Sequence, residues 1–323
     1  MSNAKIAALQ WNLVILLSAS TLVVGQANPH EQLQKALLFE KQERFDDAIF
    51  AAKSAVESNQ LSEVERGRAY IELGFALRME GRLVEAEIAS EHATRILESD
   101  ASNASDYASA LDNCAGLYGE MGQLERAIPI WLKALHLREN VGDHEAIAHS
   151  FVNLAGVSLG QGHVGKAKRY LRRASNEMKL APDLTDDDLA VLYETRGWLA
   201  MDEGNTSIAI DDYRRALELC EHAHGGEHWL VGWERILRGL AYFKSGDQDR
   251  ALADMSDGLA IIGHALGEKN PKYILAELAY SHTLDEAGSH AEAARLKAAA
   301  EQVQRDFSRS QCVGCTIDVS AFR

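Results

Sequence analysis

The sequence predicts an all-α protein, a superhelical array of about seven helix-turn-helix units over residues 29–306. Three observations predict it. Glycines recur at Gly81, Gly122, Gly162, Gly204, Gly246 and Gly288, spaced 41, 40, 42, 42 and 42 residues apart. Five residues after each stands an alanine (Ala86, Ala127, Ala167, Ala209, Ala251, Ala293), and seven further on a second small residue (Ala93, Ala134, Ala174, Ala216, Gly258, Ala300). Before the glycine runs an apolar stripe: Leu111, Cys114, Ala115 and Tyr118 in one copy, Phe151, Leu154, Ala155 and Ser158 in the next. A fixed period of this length marks a repeat architecture.

Each feature has a physical cause. Residues at i, i+3, i+4 and i+7 share one helix face. Glycine takes the positive φ that costs other residues about 1 kcal/mol, so it ends the first helix and turns the chain. A second helix follows, as in Leu124 to Leu135, and its alanines let two backbones approach closely. Neither helix hides its apolar face within one pair, so each pair must lean on the next.

Taken in order, residues 1–27 differ from the rest. Lys5 precedes an apolar run from Ile6 to Val24, and Gly25-Gln26-Ala27 offers small residues for cleavage. This predicts a secretory signal peptide and an exported, periplasmic or secreted protein; the alternative is an uncleaved N-terminal membrane anchor. A degenerate first unit follows, with Glu43 in the glycine place before Ala48 and Ala55. Six full copies complete the array. The tail, residues 307–323, carries Cys312 and Cys315, expected to pair as a small disulfide loop in a secreted protein. Cys114 reads as a core residue and Cys220 as helix-end packing. Asn103 and Asn205 stand in glycosylation sequons. The formal charge of -15 should repel nucleic acid and anionic membrane, and no basic run of the phosphate-binding kind occurs.

The pattern resembles the tetratricopeptide repeat, in the 42-residue version found in kinesin light chains. The similarity is carried by "LDNCAGLYGEMGQLERAIPIWLKAL" (Leu111 to Leu135) and by the connectors "VGDHEAIA", "GGEHWLVG" and "GEKNPKYI". It implies a right-handed solenoid and a non-catalytic scaffold binding a peptide or protein segment in its concave groove. The first helix of each pair would line that groove. Asn113 and Asn153 match a family asparagine that hydrogen-bonds an extended peptide backbone, a role suited to an amide that both donates and accepts. The equivalent places hold Glu72, Thr195, Leu237 and Ala279, which shortens the asparagine ladder to two rungs. Opposite the apolar stripe, the expected groove residues are Arg68, Glu72, Asn113, His149, Asn153, Thr195, Trp198 and Trp233. For the helix bearing Trp233 two settings are open. Either Trp233, Leu237, Leu240 and Lys244 face the groove, or the helix is rolled and Trp233, Ile236, Leu237 and Leu240 face the core.

Several motifs suggest chemistry. "GQGHVGKA" (Gly160 to Ala167) approaches a phosphate loop, but it lacks a preceding strand and has Ala167 where a hydroxyl must hold magnesium. His144 and His149, five apart, do not share one helix face as a zinc pair would. "DLTDDD" (Asp183 to Asp188) reads as an acidic helix start. Cys220, His222, His224 and His228 lie within nine residues, and with Cys312 and Cys315 they supply the alternative reading of a metal- or redox-linked protein. No catalytic triad stands out; no enzyme activity, cofactor or metal is expected.

Overall fold

The computed structural model describes residues 28–98 and 103–311, with side chains to residue 305. The N-terminal apolar run, Cys312 and Cys315 lie outside the described residues. Among the described residues there are fourteen helices and no strand: α1 (Pro29–Lys41), α2 (Phe45–Val56), α3 (Glu63–Met79), α4 (Leu83–Glu98), α5 (Ala104–Glu120), α6 (Leu124–Val141), α7 (His144–Gly160), α8 (Val164–Met178), α9 (Asp186–Asp202), α10 (Thr206–His224), α11 (Trp229–Lys244), α12 (Gln248–Leu266), α13 (Pro271–Glu286) and α14 (His290–Gln311). They pack as seven antiparallel pairs, each docked on the next. None of them is long and apolar enough to cross a membrane.

The turns follow the expected chemistry. Gly122 has φ 70°, the Gln123 amide reaches back to the Tyr118 carbonyl at 2.8 Å, and the helix ends there. Glu43, in the first unit, takes the same left-handed geometry at φ 55°, the one non-glycine residue with positive φ among those described. Its unit therefore keeps the turn at a backbone cost of about 1 kcal/mol. The stripe Leu111, Cys114, Ala115 and Tyr118 is buried, as is Phe151, Leu154, Ala155 and Ser158. The alanines of the second helices are buried at every copy, and the thiols of Cys114 and Cys220 are free and buried.

Helix entrances were only partly legible. His228 and Asn270 cap α11 and α13, accepting the amides of Leu230 and Lys272. In the earlier copy the capping falls one residue upstream, to Asp143, and His144 instead pairs with Glu177 at 2.8 Å. "DLTDDD" opens α9 through a capping box in which Thr185 and Asp188 satisfy each other's backbone amides. "GQGHVGKA" is the turn from α7 to α8, with Ala167 buried.

Arg196 and Arg238 have no firm partner in the sequence. The structure gives each an aspartate on the following helix: Arg196 to Asp212 at 3.2 Å, and Arg238 to Asp254 through two bonds of 2.7 and 2.8 Å. Both aspartates are buried. Units five and six thus replace a facing pair of apolar positions with a facing ion pair, in register.

Curvature comes from which helices touch. Odd-numbered helices contact one another from pair to pair (α3 with α5, α7 with α9, α11 with α13), so they form the inner, concave layer. The superhelix is wound tightly enough to meet itself. Asn270 Nδ2 donates to the Met79 carbonyl at 2.7 Å, across 191 residues of sequence. Lys272 Nζ lies 3.4 Å from Glu120, which also receives Arg78 at 2.8 Å. His228 Nε2 pairs with Glu43 at 2.7 Å. The turn edge of the first three units therefore abuts the loop edge of units six and seven.

Two outcomes test this packing. Built onto Gly258, a Cβ would stand 2.5 Å from the Gly232 carbonyl, so Gly258→Ala should lower stability by about 1–3 kcal/mol in a urea titration. Asp254→Ala should cost about 3 kcal/mol by stranding Arg238, whereas the double replacement R238L/D254L should recover most of that loss.

Candidate binding groove

Eight residues were expected to face the groove, and the structure places most of them on the inner layer with partners already. Arg68 of α3 grips Asp106 of α5 through Nε and Nη2 at 3.0 and 2.9 Å. Asn113 Nδ2 donates to the Ile71 carbonyl at 3.2 Å, again from α5 to α3. His149 of α7 holds Asp188 of α9 in a very short contact. Glu72 of α3 shares a hydrogen bond with Glu40 of α1. These side chains tie one inner helix to its neighbour. No short stretch of sequence announces this duty, because each partner lies some thirty to forty residues away.

The other four differ. Asn153 is half-buried and makes no side-chain hydrogen bond among the described residues, so its amide has both functions available. Thr195 is only 7% exposed and bonds back to the Val191 carbonyl at 2.9 Å, which leaves a ligand little to touch. Trp198 and Trp233 line one cavity. For α11 the structure combines the two settings: Trp233, Leu237, Leu240 and Lys244 line that cavity, while Trp233, Leu237 and Leu240 also pack against the core and Ile236 is fully buried in it. Arg235 and Arg238 point the other way, toward Asp254 of α12.

The cavity holds about 490 Å³ between α9, α11 and α13, with Tyr213 of α10 at its base. Aromatic and acidic side chains dominate its wall: Trp198, Trp233, Tyr213 and Phe243 beside Glu194, Asp202 and Glu286. A Cβ on Gly160 would lie 3.7 Å from the Trp198 ring.

Two carboxyl pairs bridge inner helices. Burial, reinforced by the Glu72 charge and hydrogen bond, pushes Glu40 up to about 10. Burial and the neighbouring Glu194 hold Glu234 well above the usual carboxylate range. In each pair a protonated carboxyl donates to its neighbour. Asp188 behaves oppositely: burial works to raise it, but bonds from Thr185 and His149 outweigh that and leave it low.

The His224 and His228 rings stack at 4.1 Å, but the histidine cluster presents no convergent set of ligand atoms. His222 meets Asp186, His224 meets Asp187 at 2.6 Å, and His228 caps a helix and meets Glu43. Cys220 is buried, and burial raises its thiol. Among the described residues the group whose ligand atoms do converge, within 4.8 Å, is Glu145, His149 and Asp188. Glu145 and His149 are four apart on α7, a spacing that can chelate a divalent cation. Reading His149 against His144 rather than Glu145 hid it.

Residues 106–176 match a family model described as tetratricopeptide repeat. The chain is an all-α solenoid of helix pairs, similar in fold to tetratricopeptide-repeat proteins. Solved structures of the same fold include the apo form of RapI, at 15% identity, with 87% of this chain and 99% of that one covered and a TM-score of 0.64. A Rap protein complexed with competence and sporulation factor matches at 15% identity, 87% and 86% coverage and TM-score 0.66. The Rap conjugation gene regulator of the plasmid pLS20, in complex with a Phr peptide, matches at 16% identity, 89% and 77% coverage and TM-score 0.67. Comparison with curated proteins finds no matching sequence.

The shared proton on Glu40 has a measurable consequence. Free glutamate loses its proton near pH 4.3, so above that pH the folded solenoid binds one proton more than the unfolded chain. Stability from this site is full below that pH and is lost as pH rises toward about 10. Glu40→Gln keeps a donor and removes the titration. Urea midpoints should therefore fall less steeply for E40Q than for the parent between about pH 5 and pH 9; parallel slopes would refute the shared proton.

Proposed function

We propose that this solenoid is a non-catalytic scaffold that holds an extended peptide or protein segment along its inner layer, in an exported or membrane-anchored protein. The observation that carries the reading is the contrast along that layer. From α1 to α5 the inner polar groups are spent on each other. From α7 to α13 His149 with Asp188 and Glu194 with Glu234 are likewise paired, but Asn153 is unengaged and leads past Trp198 into a cavity walled by aromatic rings. An unengaged amide can pair with main chain of any sequence, and rigid aromatic side chains in a recess make good anchors. The fold supports the reading, since two of the structural neighbours were solved in complex with competence and sporulation factor and with a Phr peptide.

The two asparagine rungs differ in what they already hold. Asn113 spends one of its two amide N–H donors on Ile71, whereas the Asn153 amide is wholly unengaged. Partners captured by the full chain and identified by mass spectrometry should be lost, by at least about tenfold in affinity, when Asn153 and Trp198 are both replaced by alanine; tenfold corresponds to about 1.4 kcal/mol. Unchanged capture by N153A/W198A, with an unchanged melting profile, would place recognition elsewhere on the surface.

A further inference from the structure

The cavity between α9, α11 and α13 has a chemistry more specific than an apolar recess. We propose that it is a subsite for one lysine or arginine side chain of the bound segment, its stem against Trp198 and Trp233 and its cation toward Asp202, Glu286 and Glu194. This inference rests on the groove reading above and names what that groove selects.

Four features of the wall select a basic side chain. First, Trp198, Trp233, Tyr213 and Phe243 present ring surfaces, which attract cations and cover long methylene stems. Second, three carboxyl groups face the space against one imidazole, His282, and one ammonium, Lys244, which already donates to the Met201 carbonyl at 3.0 Å. An anionic occupant would meet this field with the wrong sign. Third, Glu194 accepts the Trp233 indole N–H and a hydrogen bond from Glu234, so the ring and the carboxyl hold each other in place. Covering that buried carboxyl with an apolar side chain would remove its remaining solvent and give nothing back, whereas a guanidinium or ammonium replaces the lost contacts. Fourth, about 490 Å³ accommodates one long side chain with its flanking backbone and is too small for a folded partner. A bare metal ion is a poor alternative here, since the convergent ligand group of the described residues lies on α7 and α9, at Glu145, His149 and Asp188.

Asp202 and Glu286 are exposed at the cavity rim, so they can be neutralised without disturbing the core. The test uses the full chain and a positional-scanning library of fluorescein-labelled, acetylated and amidated hexapeptides, read by fluorescence anisotropy. Arginine or lysine at one position should be preferred over leucine and glutamate by at least about tenfold. That preference should vanish in D202N/E286Q and persist in D211N/E218Q, which removes two exposed carboxylates from the outer helix α10. Peptides that bind without a basic preference would overturn the subsite while leaving the groove intact. A preference kept in D202N/E286Q, or lost equally in both variants, would overturn it too, the latter pointing to the general charge of -15. Failure of every hexapeptide to bind would remove the groove reading and the subsite together.

Discussion

Everything in this molecule depends on how closely two helices can approach at the small residues of each second helix. Ala127, Ala167, Ala209 and Ala251 are fully buried, and at Gly258 even a methyl group would overlap a facing carbonyl. That spacing fixes the hairpin, and the hairpin exposes an apolar flank that only the next hairpin can cover. Core residues therefore run as a continuous seam from Ala36 in the first unit to Leu199 in the fifth. Smaller clusters carry the core on to Ala300.

A second constraint acts on the inner layer. Odd-numbered helices come close enough for their polar side chains to meet, and at neutral pH a buried charge or donor facing a neighbour must be paired or neutralised. The chain uses several solutions: a guanidinium on a carboxylate at Arg68 and Asp106, an amide on a carbonyl at Asn113, and protonated carboxyl pairs at Glu40–Glu72 and Glu194–Glu234. The same tight winding brings Asn270 to Met79 and Lys272 to Glu120, so the two edges of the spiral support one another. Around Asn153 and the aromatic cavity the inner layer keeps an unengaged amide and an open recess.

The sites legible in advance were those defined by local spacing. The face of Trp198 follows from helical periodicity, and so does the burial of Leu111 and Phe151, whereas periodicity left Trp233 open between groove and core. The double replacement that pairs Arg238 with Asp254 was also written in the period, eight residues on either side of Gly246, though it shows only when both positions are compared with the other copies. Thr195 illustrates the limit. Its position is on the inner side, yet its hydroxyl satisfies its own helix, and no spacing rule states which way a threonine will turn.

The sequence by itself determined the hairpins, their number, their turns and their shared seam, because glycine conformation, alanine volume and 3.6-residue periodicity are local properties. Only the tertiary structure decided how tightly the hairpins coil, and with it that Glu43 meets His228, that Glu194 lies against Glu234, and that a recess opens between α9, α11 and α13. Superhelical pitch is the sum of small rotations at every interface, each set by many side chains at once. Contacts across dozens or hundreds of residues therefore have no signature in any short stretch of the chain.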